Sequence, residues 1–192
     1  MTKARLEAFS DGVLAIIITI MVLELKVPHS TDIEDLKLLL PVFLSYVMSF
    51  IFIGIYWGNH HHLLHTVHHV TSKIIWANLH LLFWLSLIPF ATAWMGENHF
   101  ANQPVAVYAI LMLLCSVAYY ILHQTIMAHH VHSTSLIEAL KKQKKKGMIS
   151  SALYTVAVPT ALFYPVVSAL LIVTVAVLWI IPDQNIEKAL KE

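Results

Sequence analysis

The chain of 192 residues contains thirteen histidines, and six of them lie in the segment NHHHLLHTVHH at 59–69. Neutral imidazole is a common zinc ligand, and two pairs in this segment, His61 with His65 and His65 with His69, are one helical turn apart. The pattern is therefore compatible with a transition-metal site. The alternative, which we favour, is that these histidines mark the place where a helix pair reaches the polar interface of a membrane.

An acidic side chain, Asp11, lies near the start of an otherwise apolar segment, RLEAFSDGVLAIIITIMVLEL. An acid inside a membrane helix is costly unless it is paired or faces water. Polar residues at a similar depth in other apolar segments are candidate partners. We therefore predict that Asp11 belongs to a buried polar network rather than facing a pore as an ion ligand. The candidate partners are Trp76, Asn78, His80 and the histidines at 60–62.

The segments that position these residues are those of an all-α integral membrane protein. Hydrophobic residues make up 58% of the chain and charged residues 12%, whereas soluble proteins average about 25% charged. The single cysteine, Cys115, excludes an intrachain disulfide and is expected to be a small buried hydrophobe. A spanning helix needs about 20 apolar residues, which predicts six transmembrane helices. They cover approximately 5–26, 37–57, 74–95, 105–127, 148–163 and 165–182.

Prolines and charges complete the predicted topology. The residue before a proline avoids the helical region, so Phe163-Tyr164-Pro165 predicts a turn between the last two spans. With the N-terminus inside, ten of the twelve lysines and arginines are cytoplasmic, and only Lys26 and Lys37 are outside. This bias predicts cytoplasmic N- and C-termini. We expect a single six-helix domain over 1–192, retained without signal cleavage and without a soluble domain.

Motifs of several functional classes are absent from the sequence. It has no TVGYG-like filter loop, Walker A loop, dinucleotide fingerprint or nucleophile elbow. A carbonyl-lined potassium filter is therefore excluded, and we expect neither enzyme activity nor a cofactor. The cluster KKQKKK at 141–146 could contact nucleic acid or anionic lipid, but beside a membrane helix its ordinary role is topology and headgroup contact. No nucleic-acid partner is expected.

A six-span secondary transporter of zinc or protons is the alternative function. Zinc transporters of this size carry histidine-rich cytoplasmic loops, and the histidine cluster, His80 and Asp11 could serve such a role. They also place Asp and His together within paired spans, whereas no aspartate lies in the predicted spans between 74 and 182. A C-terminal soluble domain, common in that class, is also not expected here. We therefore predict no metal site.

A helical wheel divides the first span into two faces. At about 100° per residue, with Ile16 at zero, one stripe lies between about −60° and +40°, whereas Ser10 near +120° and Asp11 near −140° turn away from it. One face is thus apolar with a lone hydroxyl, and the other directs polar groups toward neighbouring helices. The alternative interpretation is that the whole stripe only packs against neighbouring helices. The stripe contains Phe9, Gly12, Ile16, Thr19, Ile20 and Leu23.

The segment RLEAFSD, an arginine followed by Phe-Ser-Asp at the head of the first span, resembles the signature of the transmembrane protein 175 family of lysosomal potassium channels and their bacterial relatives. The similarity extends to the apolar helix after the motif, the six spans, the inside termini and the short chain. Animal members join two six-span repeats, and bacterial members have one. The resemblance therefore implies a bacterial homotetramer in the cell membrane.

Residue roles follow from the same resemblance, because the first helix lines the pore in this family and bulky aliphatic side chains form the constriction. It implies that Ile16 forms the narrowest ring, with Ile20 and Leu23 further out and Thr19 as a nearby hydroxyl layer. The packing signature is Arg5, Phe9, Ser10 and Asp11, supported by polar partners for which Trp76, Asn78, His80 and several histidines compete.

Passive, moderately selective permeation of potassium over sodium is the function that the resemblance implies. The permeant ions would be K⁺, Rb⁺ and Cs⁺, and the other partners would be membrane lipid and further copies of the chain. No span carries spaced arginines, so a voltage sensor is not expected. The clustered histidines leave gating by pH as an open hypothesis.

Overall fold

The computed structural model describes residues 1–29, 31–130 and 134–180, without the side chains at 129, 130 and 134–136. Every regular element in these ranges is a helix, which confirms the predicted all-α class. A single 3₁₀ turn, Val22–Glu24, extends the first helix. The α-helices are α1 (Lys3–Met21), α2 (Ile33–Leu38), α3 (Leu40–His65), α4 (Ser72–Ser86), α5 (Ile88–Glu97), α6 (Asn102–His130), α7 (Thr134–Phe163) and α8 (Pro165–Trp179).

Four helical segments are long and apolar enough to cross a membrane, and they correspond to the first four predicted spans. The last two predicted spans fall on the second half of α7 and on α8, and α8 is apolar but has only 15 residues. The count of six spans and the inside position of both termini stay predictions. The four segments are Lys3–Glu24, Leu40–His65, Ser72–Glu97 and Asn102–Ala128.

Two predicted spans have different bounds in the structure. The third, 74–95, is divided at Leu87, because Pro89 lacks the N–H that would continue the helical ladder and lies in the first turn of α5. The fifth, predicted from 148, belongs to a helix that already begins at Thr134, so the lysine cluster is helical. The turn predicted around Tyr164 is confirmed.

The bundle is organised around α6, which packs against α4, α5, α7 and α8, whereas α1 packs against α3, α4 and α5. Cys115 on α6 is fully buried and unpaired, as predicted. The N-terminal end of α3 and the C-terminal end of α5 approach closely, since a Cβ on Gly96 would lie 2.8 Å from the Cα of Val42. The helices α3, α4 and α5 therefore pack together on the side of α1 that carries its buried residues.

Candidate functional site

The first helix buries one face against the rest of the chain. It begins after Thr2, whose hydroxyl accepts a hydrogen bond from the Arg5 N–H at 3.4 Å. Its buried residues recur at intervals of three or four, the spacing that places side chains on one side of an α-helix. Four of them are apolar and one is a serine. They are Leu6, Ser10, Leu14, Ile17 and Met21.

The opposite face of α1 is the predicted apolar stripe, and in the single chain it is exposed. Ile16 is 58% exposed and Leu23 76% exposed, and Phe9, Thr19 and Ile20 are exposed as well. The stripe borders an open groove of about 630 Å³ between α1 and α5. An apolar face of this extent on the wall of a groove is a surface for another element or another copy to cover. The resemblance implies that four of these five residues, all but Phe9, face a pore, and we call the five together the pore stripe.

Thr19 is the hydroxyl-bearing member of the pore stripe. Its Oγ1 donates to the carbonyl oxygens of Ala15 and Ile16, at 3.0 Å in each case. Because the hydroxyl proton points back to the helix, the oxygen lone pairs are left as acceptors. An oxygen in that orientation is suited to a cation rather than to an anion.

A buried chain of polar side chains ties α1 to α3 and α4. The Ser10 hydroxyl donates to the Leu6 carbonyl at 2.9 Å and accepts from Asn78 Nδ2 at 2.9 Å. The Asn78 amide oxygen therefore faces His60, and 2.6 Å separates it from Nε2 of that ring. This oxygen is an acceptor, so the proton between the two side chains belongs to His60. We call Ser10, Asn78 and His60 the polar frame.

Asp11 has a different partner from those predicted. The indole Nε1 of Trp57, on α3, donates to Asp11 Oδ1 at 2.9 Å, and both side chains are only partly covered in the single chain. The predictions that Asp11 is buried and that Trp76, Asn78, His80 or a histidine at 60–62 pairs with it are therefore wrong. Trp57 was missed although its indole donor lies three residues before His60, within the second span. A polar donor within a predicted span was the sequence signal that could have identified Trp57 as a partner.

Two of the predicted network residues lie apart from the polar frame. His80 Nε2 accepts from the indole of Trp84 at 2.9 Å, one turn along the same helix. Trp76 is 72% exposed. Of the three polar residues predicted from α4, only Asn78 joins the frame, because Trp76 and His80 each lie about 160° away from it around the helix.

The arginine and phenylalanine of the motif, Arg5 and Phe9, lie on the exposed side of α1. The neighbouring Lys3 instead reaches across to α3, where its Nζ donates to the His65 carbonyl at 2.7 Å. That bond caps a helix C-terminus with a cation, a favourable arrangement for the helix dipole. The described contacts of the motif within one chain thus come mainly from Ser10 and Asp11.

The histidine cluster has no metal-binding arrangement within the part of the chain that the structure describes. No group of three His, Cys, Asp or Glu side chains in that part is placed to hold a metal ion. His61 and His65 contact each other instead, with ring centroids 4.4 Å apart in an edge-to-face arrangement. His60 is part of the polar frame.

At the other end of α1, Lys26 forms an ion pair with Glu97 at 3.0 Å, joining the segment after the 3₁₀ turn to the end of α5. The Glu97 carboxylate raises the pKa of Lys26 above its ordinary value, through a hydrogen bond and charge attraction. Glu24 and Glu97 both line the groove beside the pore stripe. Acidic groups therefore lie at the end of the groove that is formed by the C-terminal ends of α1 and α5.

Comparison with known proteins decides the family. The chain is 54% identical over 192 residues to a protein named as a potassium channel in Chryseobacterium sp. (strain P1-3), and the alignment covers 100% of both chains. Residues 5–89 match the family described as Endosomal/lysosomal potassium channel TMEM175. This chain belongs to the TMEM175 family. The resemblance carried by RLEAFSD is thereby confirmed.

Structural comparison agrees with the TMEM175 assignment. The crystal structure of a lysosomal potassium-selective channel TMEM175 homolog from Chamaesiphon minutus superposes with a TM-score of 0.80 at 28% identity, covering 92% of this chain and 95% of that one. The endosomal/lysosomal proton channel TMEM175 of Mus musculus is 28% identical over 151 residues, which are 69% of this chain and 30% of that protein. TMEM175 proteins are ion channels and not enzymes.

Proposed function

We propose that this protein is a potassium-permeable cation channel in which four copies of the chain surround a pore lined by α1. The observation that carries the proposal is the exposed pore stripe, which lies opposite a face of α1 that is buried and held by the polar frame. The potassium-channel names of relatives that match 92% or more of the chain support the choice of ion. The multi-pass protein would lie in the bacterial cell membrane.

The proposal includes six spans with both termini in the cytoplasm. The apolar part of α7 and the whole of α8 would form the fifth and sixth spans, each shorter than the usual 20 residues and therefore suited to a locally thinner hydrocarbon layer. The strong bias of lysines and arginines toward one side supports this orientation. The whole chain, 1–192, would form one channel domain without a cofactor.

Selection of potassium would take place at a ring of Ile16 side chains. An apolar collar excludes a fully hydrated ion when it is narrow, and apolar constrictions also close by dewetting. An open state would widen the collar enough for a partly dehydrated ion. Potassium, rubidium and caesium lose hydration water more readily than sodium, so the collar favours them without a carbonyl cage. Ile20 and Leu23 would continue the apolar lining outward.

Oxygen atoms near the collar would assist the dehydrated ion. The Thr19 hydroxyl is oriented with its lone pairs away from its own helix, which suits it for contact with a cation. Glu24 at the outer end of the groove would raise the local cation concentration. Both effects act on entry, whereas the Ile16 ring determines which ion passes.

Protons are the second candidate for the permeant ion, because the related mouse protein is named as a proton channel. Zinc transport is not favoured, since the described histidines form no metal cluster and the family is one of channels. Potassium and proton permeation predict different reversal potentials under the same gradients. The two are therefore separated by one measurement.

The test is to reconstitute the purified protein in liposomes and measure reversal potentials in potassium, sodium and pH gradients, with Ile16→Asn beside the wild type. We expect a reversal potential that follows potassium in the wild type and a loss of the preference over sodium in Ile16→Asn. Leu170→Asn, an equally polar change at an exposed site on α8, should keep the preference. A reversal potential that follows only the pH gradient would show that protons, and not potassium, are the permeant ion.

Assembly is tested separately by cross-linking in detergent. A ladder ending at four chains supports the central pore. A stable dimer, or zinc-dependent proton exchange without monovalent current, would contradict the channel proposal.

A further inference from the structure

The lysine cluster on α7 forms a strongly charged surface that the channel mechanism does not use. Five of the six residues from 141 to 146 are lysines, and they lie within one continuous helix, α7, that runs on into an apolar segment. At about 1.5 Å per residue, the cluster lies within about 10 Å of the apolar part, which begins at Met148. That distance places the lysines in the headgroup layer of a bilayer.

The five lysines are distributed around the sides of α7 that do not face α6. Gln143 is buried, and its Nε2 donates to the Tyr119 hydroxyl at 3.1 Å, which fixes this side of the helix against α6. With Gln143 at zero and about 100° per residue, the flanking lysines take positions on both sides and on the outer face. The positions are about 160° for Lys141, −100° for Lys142, 100° for Lys144, −160° for Lys145 and −60° for Lys146.

Two of the lysines lie over aromatic rings on neighbouring helices. Lys144 Nζ is 5.7 Å from the ring centroid of Tyr120 on α6, and Lys146 Nζ is 5.8 Å from that of Trp179 on α8. The indole of Trp179 is itself held, because its Nε1 donates to Ser150 Oγ at 2.8 Å. Lysine and aromatic side chains together are typical of the membrane interface.

Few opposite charges compete for the outward lysines. Lys141, Lys142 and Lys145 are exposed, and none of them forms an ion pair within 4.0 Å among the described residues. Glu138 is an acidic residue of the same exposed face. The excess positive charge therefore matches a layer of anionic headgroups.

We propose that this surface, Lys141, Lys142 and Lys145 flanked by Lys144 over Tyr120 and Lys146 over Trp179, binds the phosphate groups of anionic phospholipids in the cytoplasmic leaflet. The leaflet follows from the orientation under the proposed function, whereas the binding itself does not depend on ion conduction. The flanking pairs lie where α7 meets α6 and α8, and there a headgroup would bind beside an aromatic ring. Polybasic segments beside membrane helices bind anionic lipid by this charge attraction.

The test is native mass spectrometry of the full chain in detergent with equal amounts of phosphatidylglycerol and phosphatidylcholine, where membrane orientation has no influence. The triple variant Lys141→Gln, Lys142→Gln, Lys145→Gln should lose the enrichment of phosphatidylglycerol by more than about tenfold, since each lysine contributes about fivefold. The Lys→Arg triple should retain it. Lys37→Gln should also retain it, because the predicted topology places Lys37 on the opposite side of the membrane.

Added inorganic phosphate distinguishes a lipid surface from a site for free phosphate. Phosphate at millimolar concentration should not displace phosphatidylglycerol if the lipid is the ligand. Displacement by phosphate alone, equal binding of both lipids by the wild type, or unchanged enrichment in the Gln triple would overturn the proposal. Ion flux is not read in this experiment, so its failure is separate from failure of the channel proposal.

Discussion

The two faces of α1 differ in what holds them. The inner face is packed against α3, α4 and α5, and its Ser10 is tied through Asn78 to His60 by short hydrogen bonds. The pore stripe has apolar side chains and an exposed surface. A helix that lines a conduit needs a fixed rotation and a surface free for ions. Under the proposed function, the polar frame would fix the rotation of α1, and the pore stripe would be the surface that faces the ions.

This comparison predicts that changes on the two faces have separable effects. Substitutions in the polar frame should lower the stability of the folded chain and leave the ion preference of surviving channels unchanged. Substitutions in the pore stripe should change the ion preference or the flux and leave the stability of the folded chain nearly unchanged.

Asn78→Ala should have the largest effect, because it removes both hydrogen bonds of the frame and leaves His60 Nε2 without its acceptor. Loss of a partner for a buried polar group costs about 1–3 kcal/mol. We expect a lower unfolding temperature in detergent, measured by tryptophan fluorescence. Asn98→Ala is the matched control, since that exposed amide bonds only to the Trp94 carbonyl of its own helix. Equal unfolding temperatures for the two variants would contradict a structural role for the frame.

Trp57→Phe should have an intermediate effect. It removes the indole donor to Asp11 but keeps an aromatic ring, and the pair is partly exposed in the single chain. A hydrogen bond to a charged acceptor contributes about 1.5–3 kcal/mol when well covered, so we expect about 1 kcal/mol here. The measurement is a double-mutant cycle with Asp11→Asn in the same fluorescence assay. Additive effects of the two substitutions would show that the bond does not couple α1 to α3.

The division of α1 into two faces was predictable from sequence, whereas the partners of its polar side chains were not. A stripe depends only on the 3.6-residue period within one helix, so Ile16, Thr19 and Leu23 were placed together correctly. The bond from Trp57 to Asp11 depends on the rotation and depth of α3 relative to α1, which no local pattern fixes. Pro89 was a sequence signal for the break at Leu87, but the long apolar segment around it favoured the prediction of one continuous span.

Thr19→Val should have the smallest effect on stability and so gives the sharpest test of the pore stripe. The Thr19 hydroxyl donates only to carbonyls of its own exposed helix turn, so its loss should change the unfolding free energy by less than about 0.5 kcal/mol. If the oxygen contacts permeating ions, Thr19→Val should nevertheless reduce the potassium flux severalfold, and Thr19→Ser should restore it. The readout is potassium flux per reconstituted channel, with unfolding temperature measured in parallel. A flux that stays unchanged in Thr19→Val would show that permeating ions do not contact the hydroxyl, and the apolar side chains of the stripe would then line the permeation path alone.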